Sequence, residues 1–454
     1  MNRPALRHGL VSALSWMLLA SAGDASALDV PFQKYALPNG LTVILHEDHA
    51  LPMVTVNVVY RVGSRYEEKG RTGFAHLFEH LMFMGTRRAP TKMFDAWMEK
   101  EGGWNNAWTS EDHTDYFDVA PAHALPLLLW LEADRMSALG HEMTLDKLDA
   151  QRDVVRNERR QTSENQPYGK VELRLPELLF PPDSPYHHPV IGSHEDLQAA
   201  TVDDVKTFFG RWYVPTNASV VVAGDFDPAQ TRVLVERSFG WIPAQAPPQP
   251  PPITPARLDR VVRETIQDNV QLPKVVMAWP SPDRYAPGDA ELDLARVILD
   301  EGKSSRLFKA LVYDHDLAQE VKVAQNSRDG GSDFEVEAIA RPGVTLEQME
   351  TAIDAELRKL ASDPVPEQEL ARAKNQFETQ FVQRLESLVE RAMVLNLYQA
   401  TKGDPGYAER DLQRYRAVTP ATLQHAVQST VRLDARVVLH IVPKEKAAGE
   451  GGAR

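Results

Sequence analysis

Residues 73–86 read GFAHLFEHLMFMGT, and the interpretation of the whole chain starts from this stretch. It contains His76, Glu79 and His80 in the pattern H-x-x-E-H. Residues four apart lie one turn above each other on a helix, so both imidazoles can reach one metal ion. Glu79 shares that face, where its carboxylate can take a proton from a water on the metal. This is the inverted zinc-hydrolase motif, which predicts a reaction as well as a metal site.

The same pentapeptide has a purely structural alternative. The chain contains 14 histidines, and the pattern arises by chance in roughly a few per cent of such chains. The apolar residues around it would also suit an ordinary buried helix. The remaining sequence has to decide between an accidental and a functional motif.

Length and composition describe a globular protein of two domains. The 454 residues exceed one ordinary core, and two domains of about 200 residues are expected. The net charge of −14 and the lack of a Lys/Arg cluster argue against nucleic-acid binding. The chain has no cysteine, which excludes thiolate-bound zinc and thiol catalysis.

Residues 1–27 have the pattern of a signal peptide. Arg3 and Arg7 precede the apolar stretch 10–20, and the small residues 25–27 form a cleavage site. The apolar stretch is too short to span a bilayer, and no second span follows. We therefore predict an exported, periplasmic protein, cleaved near Ala27–Leu28, with no membrane span in the mature chain.

A proline-rich segment divides the mature chain. Residues 243–255 read PAQAPPQPPPITP, which predicts an extended, semi-rigid spacer. It separates an N-terminal domain at 28–242 from a C-terminal domain at 256–443. Residues 444–454 are predicted to be a disordered tail.

The two halves resemble diverged copies of one domain. Residues 51–59 are similar to 272–279, and residues 200–223 are similar to 418–441. Both separations are about 220 residues, which indicates a duplication. Within a half, strands are predicted at 42–45, 54–61 and 106–119, and helices at 73–84, 94–100 and from an N-cap at Thr144 to about 162. We predict an α+β protein in which each half has a helix layer on a mainly antiparallel sheet.

A third metal ligand is needed from elsewhere in the chain. A catalytic zinc takes three protein ligands and keeps one position open for water. The helix predicted from Thr144 offers Glu158, within residues 151–160, which read QRDVVRNERR.

With these segments together, the sequence resembles the M16 zinc proteases. This inverzincin family includes pitrilysin, insulin-degrading enzyme and the mitochondrial processing peptidase, and the chain is most similar to its short bacterial, M16B-like members. The segments that carry the resemblance are 73–86, the stretch GGWNNAWTSEDHTDY at 102–116, VVRNE at 154–158 and SSRLF at 304–308. Four matches in this order make an accidental motif untenable.

The resemblance implies a zinc endopeptidase that cleaves peptides or unfolded segments. One zinc ion per chain would be held by His76, His80 and Glu158, with Glu79 as general base on the zinc-bound water. The strand with Asn106 and Ala107 would be an edge strand that binds the peptide through backbone hydrogen bonds. For Asn106, a turn after two glycines is the alternative.

The chain departs from the family pattern at several positions. Gln151 stands where the family usually has a glutamate near the metal. The second domain usually carries an Arg and a Tyr, seven residues apart, that stabilise the oxyanion. Val312 and Gln319 occupy those two positions. Arg306 and Tyr313 have the same spacing, but we interpret both as structural residues.

These departures predict half of an active site. We expect a homo- or heterodimer in which an M16-like partner supplies the Arg/Tyr pair. The second half has Val297, Asp300 and Glu301 at the positions that match the motif, so no metal site is expected there. A non-catalytic scaffold or assembly subunit is the alternative, and a metal-binding protein without protease activity is a third reading. Other histidines lie in polar, turn-rich segments. We predict that they are solvated or hydrogen-bonded and do not bind a metal, namely His46, His49, His113, His187, His188 and His194.

Overall fold

The computed structural model describes residues 30–444. The predicted signal peptide, 1–27, and the predicted tail beyond residue 444 lie outside the described residues. Within residues 30–444, no helix is both long enough and apolar enough to cross a membrane. The described chain is an α+β protein with two sheets and two main hydrophobic cores.

The first domain is built on a six-stranded sheet. Its strands are β1 (Gln33–Ala36), β2 (Thr42–Glu47), β3 (Met53–Tyr60), β4 (Trp104–Thr109), β5 (Thr114–Pro121) and β6 (Ala218–Gly224). Their order is β1-β2-β6-β3-β5-β4, and only β2 and β6 run parallel. Its helices are α1 (Phe74–Leu81), α2 (Met93–Lys100), α3 (Leu125–Ala138), α4 (Leu145–Glu158), α5 (Lys170–Leu179), α6 (His194–Ala199), α7 (Val202–Trp212) and α8 (Pro228–Phe239).

The second domain is built on a five-stranded sheet. Its strands are β7 (Val262–Asp268), β8 (Lys274–Pro280), β9 (Ala318–Asn326), β10 (Asp333–Ala340) and β11 (Val437–Pro443). The order is β7-β11-β8-β10-β9, with β7 and β11 parallel. Its helices are α9 (Asp289–Asp300), α10 (Leu346–Ser362), α11 (Glu367–Arg384), α12 (Leu388–Lys402), α13 (Ala408–Ala417) and α14 (Pro420–Thr430).

The two sheets have the same topology, which confirms the predicted two similar halves. Strands β2, β6, β3, β5 and β4 correspond in order to β7, β11, β8, β10 and β9. The single parallel pair lies at the same place in each sheet. The repeated sequence segments fall on β3 and β8, on α7 and α14, and on β6 and β11.

Each sheet is covered on its second face by a helix from the other half of the chain. Helix α5 packs on β7, β8 and β11, where Val171 and Leu175 join a cluster with residues of the second sheet. Helix α12 packs on β3 and β6, where Ala392 and Leu395 meet Val221. Because both faces are buried, β6 can be apolar at nearly every position.

A buried polar cluster fixes α12 on the first sheet. The Asn396 amide is fully buried and donates to Asn57 Oδ1 at 2.7 Å and to the Ser219 carbonyl at 3.2 Å. Ser219 Oγ donates to Asn396 Oδ1 at 2.5 Å. Asn57 donates in turn to Asp115 on β5. Such satisfied buried groups specify one docking position for the helix.

Two predicted elements end differently from the prediction. The strand predicted at 106–119 is a hairpin of β4 and β5, because Ser110 Oγ accepts from the backbone of Asp112 and His113 and bends the chain. The N-cap at Thr144 is confirmed, since its side chain accepts from Lys147 N. Helix α4 ends at Glu158 and continues as the π-helical turn Arg159–Glu164.

The proline-rich segment has no regular secondary structure and lies against the protein. Ile253 packs in the cluster around α5. Pro247, Pro248 and Pro250 help to enclose a cavity of about 310 Å³. The spacer is therefore in contact with its surroundings along part of its length.

Candidate metal centre

Helix α1 presents two chemically different faces. Phe74, Leu77, Phe78 and Leu81 are buried in the core of the first domain. His76, Glu79 and His80 lie on the other side of the helix, and the side chains of the two histidines are 12% and 22% exposed. The apolar spacing of the helix therefore holds the polar motif at the edge of the core.

The N-terminus of α1 is fixed by a buried carboxylate and begins at a glycine. Glu67 accepts from Gly73 N at 2.8 Å and from Ala75 N at 2.7 Å. Gly73 has φ 88°, and a Cβ there would come within 2.8 Å of the Ile191 carbonyl. Glu67 thus binds backbone N–H groups that the first helical turn leaves free.

His76, His80 and Glu158 converge on one point. Glu158 Oε2 lies 3.2 Å from His80 Nε2, and Glu158 Oε1 lies 3.7 Å from His76 Nε2. One ligand atom from each of the three residues lies within 4.8 Å of the others. Two imidazole nitrogens and one carboxylate oxygen form a donor set that fits zinc with an open fourth position. Within residues 30–444, no other set of three or more His, Cys, Asp or Glu side chains lies close enough together to hold one metal ion.

The charges of His76 and Glu158 fit a cation, and a bound cation would displace the proton that Glu158 favours on His80. Burial and the neighbouring His80 lower the pKa of His76 to about 4, so its imidazole is neutral and can act as a ligand. Burial lowers the pKa of His80, but hydrogen bonding and charge attraction from Glu158 outweigh it and raise that pKa. The same hydrogen bond from His80 lowers the pKa of Glu158. The carboxylate is therefore ionised and faces both imidazoles.

Glu79 lies beside the three converging groups and is held by β4. Thr109 Oγ1 donates to Glu79 Oε2 at 2.7 Å. Burial raises the pKa of Glu79, while the hydrogen bond from Thr109 opposes that shift. A carboxylate with a raised pKa near a metal position can accept and release a proton.

The predicted edge strand is at the edge of the first sheet. β4 is the last strand in the order and pairs with β5 on one side. Ala107 packs against the core, and Thr109 reaches Glu79 from the same face, because residues two apart share a face. Asn106 is exposed on the opposite face, and its Oδ1 accepts from Ala107 N. Asn106 is part of the strand, and the predicted turn alternative for it is wrong.

Gln151 contacts the metal-site region from α4. Its Nε2 lies 2.9 Å from Met84 Sδ. Hydrogen bonding with Gln151 also contributes to the raised pKa of His80, after the effects of burial and of Glu158. The Gln151 amide therefore occupies a position from which a carboxylate could accept a hydrogen bond from the metal-ligand candidate His80.

We expect Gln151→Glu to raise the affinity for zinc by about tenfold, because a carboxylate beside a ligand histidine makes it more basic. Competition with a chromogenic chelator measures the change. Gln428→Glu, on the exposed surface of the second domain, adds the same charge and should leave the affinity unaltered. An unchanged or weaker affinity in Gln151→Glu would contradict the role given to this position.

In the second domain, the residues at the family's Arg and Tyr positions are not an arginine and a tyrosine, and their surroundings differ. Val312 packs against the core of the second domain, and Gln319 is exposed on β9. Arg306 makes a two-pronged hydrogen bond to Glu369, which agrees with a structural role. Tyr313 is 80% exposed, so the interpretation of this residue as structural is wrong.

The remaining motif positions and histidines have other contacts. In the second domain, Asp300 accepts from Val323 N, and Glu301 pairs with Arg296. His113 is buried, lies edge-on to Trp108 and has its Nδ1 3.4 Å from Ser110 Oγ, which agrees with the hydrogen-bonded form of the prediction. His46 lies in β2, and its Nδ1 contacts the Pro31 carbonyl, which agrees with the hydrogen-bonded form of the prediction.

Two residues of the site were missed from the sequence. Glu67 caps α1 from a loop, and no local pattern marks it. Thr109 could have been found, because it lies two residues after Ala107 and so shares its face of the strand. It also belongs to the stretch at 102–116 that resembles the family.

Comparison with known proteins gives two family matches and several relatives. The family described as Insulinase (Peptidase family M16) matches residues 42–180, which contain all three converging residues and Glu79. The one described as Peptidase M16 inactive domain matches residues 199–377. The zinc protease PqqE of Helicobacter pylori is 32% identical over 383 residues, 84% of this chain and 85% of that protein. An uncharacterized zinc protease of Streptomyces coelicolor is 25% identical over 86% of this chain and 84% of its own length.

Solved structures show the same fold. A protease from Helicobacter pylori superposes with a TM-score of 0.85 at 27% identity, over 91% of this chain and 99% of that one. A peptidase M16 inactive domain from Pseudomonas fluorescens has a TM-score of 0.81 at 17% identity, over 91% and 98%. The two family matches, the relatives and the shared two-domain fold agree, and the chain belongs to peptidase family M16.

Proposed function

We propose that this chain is a zinc-dependent endopeptidase that cleaves peptides or unfolded protein segments. One observation carries the proposal: Glu79, oriented by Thr109, lies beside the converging donor set of His76, His80 and Glu158. The names of the relatives, which are zinc proteases, support the same class. A scaffold subunit would have no use for a positioned carboxylate next to three metal ligands.

Each residue of the site has a distinct role in the proposed reaction. His76, His80 and Glu158 would hold one zinc ion, which would polarise the scissile carbonyl and acidify a water molecule. Glu79 takes the proton of the attacking water and delivers it to the leaving amine. The raised pKa of Glu79 suits both steps.

The substrate is proposed to bind as an added strand. β4 is the last strand of its sheet and carries Thr109, which contacts Glu79. Alternate residues of an antiparallel edge strand turn their backbone N–H and C=O groups to the free edge, and Ala107, whose N–H donates to Asn106 Oδ1, is one of them. An extended peptide can pair there, with the Asn106 side chain beside it, which places a peptide bond beside the base. Recognition through the backbone tolerates many side chains but requires an unfolded segment.

The direct test uses the zinc-loaded chain and an unstructured fluorogenic peptide. We expect cleavage that stops when a chelator removes the metal and returns when stoichiometric zinc is added. The zinc content, one ion per chain, is measured on the same sample. A chain that holds zinc but leaves unstructured peptides intact, at every oligomeric state that it forms, would contradict the proposed activity.

We also propose that the active form is a dimer with an M16-like partner, either a second copy or another chain. Val312 has no polar group to donate, Gln319 offers a neutral amide in place of a tyrosine hydroxyl, and Arg306 is engaged by Glu369. Removal of one oxyanion donor costs about 10²–10³ in rate, so the isolated chain should be slow. Full family rates for a monomer would argue against the partner.

Export to the periplasm is proposed from residues 1–27, whose sequence has the signal-peptide pattern. A structural relative, PqqL from Escherichia coli, is described as a periplasmic protease. Fractionation of cells that produce the full chain, with determination of the mature N-terminus, tests this point.

A further inference from the structure

We infer that the second domain positions Glu79 of the first domain through the turn at residues 110–113. The inference rests on the proposed function, in which Glu79 is the general base. This turn joins β4 to β5, and the loop at 327–332 joins β9 to β10. The two hairpins are equivalent elements of the duplicated fold, and their tips meet across the domain boundary.

Residues of the first domain form hydrogen bonds with one side of the turn. Ser64 N donates to the Ser110 carbonyl at 3.1 Å, and Arg65 N donates to the Glu111 carbonyl at 3.0 Å. A Cβ at Gly63 would come within 2.2 Å of the Ser110 carbonyl, so the two segments touch along their backbones. This contact holds the turn against the loop that precedes α1.

Residues of the second domain contact the other side of the turn. Arg328 Nε lies 2.7 Å from Glu111 Oε1, and the Arg328 guanidinium also pairs with Asp333. Asp329 N donates to Asp112 Oδ2 at 3.0 Å. The loop at 327–332 therefore contacts both acidic residues of the turn, one through a side chain and one through the backbone.

Asp112 is the centre of the contact. Its side chain is nearly fully buried and receives Tyr186 Oη at 2.7 Å as well as Asp329 N. Arg65 Nε lies 3.1 Å from Asp112 Oδ1, and Arg65 Nη2 lies 3.4 Å from Asp329 Oδ2. A buried carboxylate with several charge-assisted hydrogen bonds has little freedom to move.

The turn transmits this position to the base. Thr109 is the last residue of β4 and pairs with Thr114 at the end of the ladder. Ser110 N donates to the His113 carbonyl at 2.9 Å and closes the turn. Thr109 Oγ1 then donates to Glu79 Oε2. A displacement of the turn would move this hydroxyl and with it the Glu79 carboxylate. A shift of about 1 Å in a catalytic group lowers the reaction rate.

The test combines two substitutions in the zinc-loaded chain. Thr109→Val removes the hydroxyl and keeps the shape, and we expect kcat to fall by about tenfold or more at unchanged zinc content, with partial recovery in Thr109→Ser. Arg328→Met should lower kcat by roughly three- to tenfold, with partial recovery in Arg328→Lys. In the Thr109→Val background, Arg328→Met should have little further effect, because it acts through the same hydrogen bond.

Two further variants keep the experiment decisive. Arg174→Met removes a comparable pair between the domains, since Arg174 on α5 makes a two-pronged contact with Glu264 on β7. It should leave kcat unchanged. Glu111→Gln weakens the Arg328 contact from the other side and serves if Arg328→Met does not fold. Independent, fully multiplying effects of Thr109→Val and Arg328→Met, or an equal loss of kcat in Arg174→Met, would overturn the inference.

Hydrogen exchange separates this inference from the proposed activity. Faster amide exchange of residues 104–116 is expected in Arg328→Met or Glu111→Gln, and not in Arg174→Met. If exchange in this hairpin is unaffected, the second domain does not position it, whatever the turnover shows. If the exchange changes as expected while wild-type protein cleaves no peptide, the coupling stands and the peptidase proposal fails.

Discussion

Glu79→Gln is expected to bind zinc as the wild-type chain does and to lose peptide turnover by about 10²–10⁴-fold, the range for a removed acid–base group. The amide has nearly the volume of the carboxylate and can still accept the hydrogen bond from Thr109. It cannot take a proton from water at neutral pH. Zinc content by metal analysis and kcat on an unstructured peptide, measured on one preparation, give the two quantities.

A matched variant shows whether the loss is specific. Glu99→Gln changes an exposed glutamate on α2, outside the site, and should retain both zinc and turnover. Equal turnover in Glu79→Gln and the wild type would remove Glu79 from the mechanism. Loss of zinc together with turnover would instead make Glu79 a ligand, contrary to the distances of the other three groups.

The part of the site that is local in sequence could be predicted from sequence. His76, Glu79 and His80 lie within five residues of one helix, so helix geometry alone brings them to one side. The fold class followed from the resemblance and from the repeat of about 220 residues. Glu158 was predicted correctly as part of the converging group because it ends a long helix in a segment that resembles the family.

The parts that depend on tertiary contacts could not be predicted. The exchange of α5 and α12 between the two sheets leaves no local signal, since each helix is simply amphipathic. The continuous apolar run of β6 is compatible with a helix on each face of the sheet, because a strand buried on both faces does not alternate apolar and polar residues. Glu67 reaches α1 from a loop without a pattern.

The hairpin of β4 and β5 places Thr109 differently from the single strand predicted at 106–119. When residues 106–119 are treated as one strand, Thr109 lies in its middle with no special role. In the structure, Thr109 ends β4, and the turn beyond it is held by both domains. The second domain thus contributes contacts that hold the hairpin of the first.

Glu158→Gln is expected to weaken zinc binding by about 10²–10³-fold, because a zinc site worth roughly 10–16 kcal/mol over four ligands gives about 2.5–4 kcal/mol per ligand. The variant keeps the shape of the side chain but loses the charge that faces His76 and His80. Zinc at 1,000 times the wild-type dissociation constant stabilises the wild-type fold by about 4 kcal/mol and this variant by roughly 0.4–1.4 kcal/mol. Urea unfolding with and without zinc measures both values.

Glu164→Gln is the matched control for Glu158→Gln, and the comparison decides whether the donor set is a metal site. Glu164 follows α4 in the π-helical turn and lies 3.0 Å from His194 Nε2, so it forms the same kind of Glu–His contact outside the converging group. Its substitution should leave the zinc-dependent stabilisation intact. If both variants lost it equally, a general effect on this segment would explain the result. If neither lost it, zinc would bind elsewhere, and the three converging residues would be an ion-paired cluster instead of ligands.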